Sequence, residues 1–152
     1  MTDRALPHDL YLTQTYTALY DIGLDPTHHT LDDSDTRGTH NYLRGILHQP
    51  PYQRWPHGLL LIWEWHTGIE AADGEPDRGP LWLWAALRAD GSNTEPAPLP
   101  VDGYANPSQV AAALDELVTT GQAVKRRPGR WWGADGLDAA CGAWAAEEAG
   151  TP

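Results

Sequence analysis

Residues 59–65, LLLIWEW, decide the fold class. In an extended chain, side chains alternate between faces, so Leu59, Leu61, Trp63 and Trp65 share one side. Leu60, Ile62, Glu64 and His66 take the other. Residues 81–88, LWLWAALR, repeat the pattern, with Trp82 and Trp84 opposite in parity to Leu81, Leu83 and Leu87. Both faces are apolar near the strand starts, which describes central strands covered at least partly on each side. The stretch between them, HTGIEAADGEPDRGP, carries turn signals at both ends. Its partly apolar piece, Ile69 to Ala72, is read as a third strand.

Working outward, residues from about His8 to Ile22 predict a helix, with Leu12, Tyr16, Leu19 and Tyr20 on one stripe and Gly23 as its stop. THHTLDDSDTRG reads as a polar loop. A short second helix is expected from about Thr39 to His48, with Tyr42, Leu43, Ile46 and Leu47 inward and Pro50 and Pro51 closing it. Residues 91–100 read as an extended, proline-rich connector. Asn106 followed by Pro107 is a strong start signal for a helix running to Gly121. A final helix is expected over roughly Asp135 to Glu148, with Leu137, Cys141 and Trp144 on one stripe. The sum is an α+β fold and a single domain, 1–152: a small antiparallel sheet of about three strands, packed by N-terminal helices and a C-terminal helix, with an extra C-terminal helical segment.

The chain has 152 residues, enough to bury a core without disulfide or metal. A net charge of −11 disfavours nucleic acid or an anionic membrane as a whole-surface partner. A single cysteine excludes an internal disulfide, and no apolar run is long enough for a signal peptide or membrane span. A cytoplasmic location is the expectation. The segments GLLLIWEWHTG, YANPSQVAAALDELV and PGRWW resemble those of small actinobacterial proteins without an assigned activity, and the resemblance implies none.

Four constellations could carry function. Trp63, Trp65, Trp82 and Trp84 share a sheet face if the two strands pair; left exposed they form a partner-binding surface, and covered by a helix they are core. Lys125, Arg126, Arg127 and Arg130 are four of the ten basic residues. They follow a helix in the order of a winged-helix tail and could meet DNA phosphates, or could be a solvated turn tethered to acidic neighbours. His28, His29, Asp32, Asp33, Asp35 and His40 are metal-ligating types, but their spacing fits no metal motif, so no metal ligand is assigned. Catalysis by side chains alone has only weak candidates: Cys141 on an apolar stripe, and Glu64 with His66 on one strand face. No catalytic residue and no cofactor is expected. The leading expectation is a non-catalytic, acidic binding or accessory protein acting through a protein partner. The alternatives are a DNA-associated regulator using residues 125–130 and a metal-dependent enzyme using the 28–40 loop.

Overall fold

The computed structural model describes residues 6–36, 40–66 and 80–149, with the side chains of 34–42, 66 and 147–149 outside that description. The chain runs α1 (Asp9–Asp21), β1 (His28–Thr36), β2 (His40–Gln49), β3 (Leu59–His66), β4 (Leu81–Ala86), β5 (Ala97–Pro98), α2 (Pro107–Thr120) and α3 (Ala134–Ala149). The fold is α+β. Its sheet has five strands in the order β1-β2-β3-β4-β5, each antiparallel to its neighbour, and so is larger than the expected three.

Three local readings change. The 27–38 loop is mostly strand β1, and the expected second helix is strand β2. The proline-rich connector contributes the two-residue edge strand β5. Ile69–Ala72 lies outside the described residues. The β2 correction has a clear cause. Tyr42, Leu43, Ile46 and Leu47 also fit a helical stripe, but Gly45 stands in the middle, at about 1 kcal/mol against a helix relative to Ala. As a strand, β2 is paired on both edges, Leu31 and Trp63 flanking Gly45 and His29 and Leu61 flanking Leu47. Ladder hydrogen bonds and burial of Leu43 and Leu47 outweigh the local ambiguity.

One face of the sheet holds the core. Leu43, Leu47, Leu59, Leu61, Trp63 and Trp82 lie buried there with the inner stripes of the three helices. Helix α1 presents Tyr11, Leu12, Thr15 and Leu19 inward. Leu12 is seated on Gly45: a Cβ at that position would come within 2.6 Å of Leu12 Cγ. Helix α2 starts at Asn106, whose side chain accepts from the Ser108 N–H, and stops at Gly121 in the left-handed conformation, φ +89°. Helix α3 buries Leu137, Cys141 and Trp144. The opposite sheet face carries a smaller buried cluster, Leu60, Ile62 and Ala85, with Ile46, Leu83 and Leu87 packed against it.

Candidate partner-binding groove

The four sheet tryptophans share one face, and that face is the core. Trp63 and Trp82 are direct cross-strand partners, Trp65 lies opposite Leu43 of β2, and Trp84 pairs with Leu61. Trp63, Trp65 and Trp82 are buried, while Trp84 is half-buried beneath Trp55, the rings edge to face at 5.7 Å. The Trp63 indole N–H donates to the Gly103 carbonyl (2.8 Å). That of Trp82 donates to the Tyr11 hydroxyl (3.0 Å), which itself donates to the Ala105 carbonyl (2.5 Å). Trp63 and Trp82, buried and satisfied internally, leave neither area nor hydrogen-bonding capacity for a partner.

Trp132 is the contrasting case, 78% exposed beside a Trp131 that is 5% exposed. Trp131 is pinned. Its backbone N–H donates to the Tyr104 carbonyl (2.7 Å), its indole N–H to Gln14 Oε1 (2.9 Å), and its ring lies 4.8 Å from that of Tyr11. Gly133 lets the Trp131 ring fold back, since a Cβ there would sit 2.8 Å from it. Arg130, just before, bonds Asp135 at 2.5 Å and lies over the Tyr104 ring, and the Tyr104 hydroxyl donates to Asp138 at 2.6 Å. The Trp132 ring leans on that of Trp131, centroids 5.2 Å apart and planes tilted by 52°, with most of its surface left to solvent.

Trp132 stands between two hollows, of about 350 and 270 Å³, and the larger shares Ala18, Asp21 and Ser108 with a third of about 440 Å³. Together they form one groove. Leu10, Gln14, Ala18 and Asp21 of α1 make one wall, a stripe spaced four, four and three residues apart. At 1.5 Å per residue this wall is about 16 Å long. The other wall is the start of α2 and of α3. The two ends differ in chemistry. Pro7, Leu10, Leu137 and Ala140 line the Trp132 end, whereas Asp21 and Asp115 line the far end. Leu10 and Ile22, both large and apolar, are 54% and 50% exposed along it.

The basic turn is built differently from a wing. Residues 127 and 130 bridge to Val101 and Ala105, laying the segment along that loop, and β5 and a loop, not a helix, precede α2. Glu116 accepts from the backbone N–H of Val124 (3.0 Å) and Lys125 (3.4 Å) and from the Arg127 side chain (3.4 Å). These bonds, the Val124 N–H first, hold its carboxyl below the usual range. Arg127 is paired with Glu116 and Arg130 with Asp135, so among the described residues Lys125 and Arg126 are the exposed cations of the set without an ion pair.

The His/Asp cluster is spread along β1, where neighbours face opposite ways, with His40 at the start of β2. His28 stacks on His48 across the ladder at 3.9 Å, His29 sits edge-on to Tyr16 on the other face, and Asp32 pairs with Arg44 at 3.6 Å. The side chains of Asp35 and His40 lie outside the described residues. Among the described residues no group of three or more His, Cys, Asp or Glu is placed to hold a metal ion. Cys141 is fully buried, and burial pushes its thiol up to about 12, far from nucleophilic use at neutral pH. No described helix is long and apolar enough to cross a membrane.

Trp132 is the functional candidate that the sequence reading passed over. Its signal is the WW pair in PGRWW: one of the two adjacent indoles takes the core position and the other lies against it, exposed. No protein-family model, no curated protein and no solved structure matches this chain, so the groove's geometry is its only guide.

Proposed function

We propose that this is a non-catalytic binding protein that engages a protein partner along the α1 groove, with Trp132 as the anchor. One observation carries the reading: an indole 78% exposed stands between two hollows, its ring 5.2 Å from that of a neighbour locked into the core. Large aromatic anchors bordered by hollows are typical of residues that dominate binding energy, because covering them removes a large apolar area from water. The sheet tryptophans supply the framework behind this surface.

The test compares wild type, Trp132→Ala and Gly136→Leu, each immobilised and exposed to lysate of cells that express the chain. Gly136 lines the Trp132 hollow and a Cβ there meets nothing within 4 Å, so the larger side chain fills the hollow from a helix that tolerates it. A protein retained by wild type should be lost on both variants and retained on Arg126→Glu, and its purified form should bind with the same ranking. Capture that survives both groove variants, or that is lost on Arg126→Glu and on nuclease treatment, rejects the groove and favours nucleic acid.

A further inference from the structure

Resting on that reading of the groove, we infer that its occupant is a short segment carrying a large apolar residue at one end and a lysine or arginine at the other. The walls set this polarity. In the smaller hollow beside Trp132 the lining is Pro7, Leu10, Leu137 and Ala140 with the glycines 133 and 136, without a charged side chain among the described residues. Around the opposite hollow it is Ala18, Ile22, Ala111 and Ala112 between two carboxylates, Asp21 and Asp115. An apolar side chain placed beside Trp132 leaves water for a matching surface. A cation at the other end finds two carboxylates and an apolar floor for its aliphatic stem. An acidic segment would meet like charge there.

Charge also decides against a second copy as occupant. The chain is at −11, so two copies repel each other, whereas a basic segment is attracted. The wall length restricts the spacing. About 16 Å corresponds to about five residues of extended chain or eleven of helix. The occupant is therefore a segment of a partner rather than a single residue.

The probe is a displayed library of linear dodecapeptides selected on wild-type chain and counter-selected on Trp132→Ala, with the winners measured by fluorescence anisotropy. Enriched peptides should combine Leu, Met, Phe or Trp with Lys or Arg. Their affinity should fall about 30-fold on Trp132→Ala. It should fall about fivefold on the Asp21→Asn, Asp115→Asn double variant, and also with rising salt. Thermal melting of each variant checks that it is folded. Trp132-dependent peptides that lack cations and ignore the double variant overturn this inference and leave the groove reading standing. Failure to enrich any Trp132-dependent peptide removes both. Self-association in analytical ultracentrifugation that Trp132→Ala abolishes makes a second copy the occupant and overturns the inference as well.

Discussion

Adjacent tryptophans 131 and 132 have the same side chain and opposite roles, and mutation should separate them cleanly. Trp131→Ala removes a buried ring, its bond to Gln14 and its contact with Tyr11. It should cost about 3–5 kcal/mol in urea unfolding. Trp132→Ala should change stability by no more than about 0.5 kcal/mol, because little of its ring is covered in the free chain. A second residue-scale consequence concerns His8, which is fully buried and stacked on Trp63 at 5.5 Å. Its Nε2–H donates to the Arg44 carbonyl at 2.9 Å, and its Nδ1 has no hydrogen-bond partner among the described residues. Burial holds the imidazole below its ordinary pKa, against the raising influence of the Arg44 carbonyl and of Asp9, Asp33 and Asp32. The folded chain thus favours neutral His8, while the unfolded chain takes up a proton near pH 6.5. The stabilisation is complete above that pH and drains away as pH falls through it, at up to about 1.4 kcal/mol per unit. His48, lowered by burial and by His28, acts in the same direction. Urea midpoints at pH 7 and pH 5 should show the loss, and His8→Gln should reduce the difference; an unchanged difference would place the proton elsewhere.

At the level of elements, the contact between Leu12 of α1 and Gly45 of β2 sets how closely helix and sheet approach. Gly45→Ala places a methyl within 2.6 Å of Leu12 Cγ and should destabilise by about 1–3 kcal/mol. Leu12→Ala alone opens a cavity, at about 2–5 kcal/mol. In the double variant the new methyl partly fills that cavity, so the double-mutant cycle should show a coupling of at least about 0.5 kcal/mol, with additivity refuting the seat. The same contact explains what was legible. Helices α1, α2 and α3 follow from their apolar stripes, the Asn106–Pro107 start and the Gly121 stop, all local signals. Strands β3 and β4 follow from their period-two pattern. Strand β1, with His28, His29, Asp32 and Asp33, has no apolar alternation, and β2 satisfies a helical stripe as well as a strand face. Both are strands because of pairing across 20 or fewer residues of hairpin and because α1 covers β2, and no local pattern records either fact.

Across the whole molecule, the tryptophans divide into framework and surface. Parity alone put Trp63, Trp65, Trp82 and Trp84 on one face, but which face the helices cover depends on contacts between the ends of the chain, such as Tyr11 with Ala105 and Gln14 with Trp131. Those contacts span 94 and 117 residues. The same long-range closure builds the groove, whose walls come from α1 and from residues beyond 105, so it could not be seen in any one segment. The central claim is that partners meet Trp132 and leave the sheet indoles alone. The chain has eight tryptophans and hence eight indole N–H resonances, which a ¹H–¹⁵N spectrum resolves individually once assigned by substitution. Titrating the labelled chain with a selected apolar–basic peptide should move the Trp132 indole signal strongly and those of Trp63 and Trp82 scarcely at all. Large shifts at Trp63 and Trp82 with Trp132 unmoved would contradict the account and return the binding surface to the sheet.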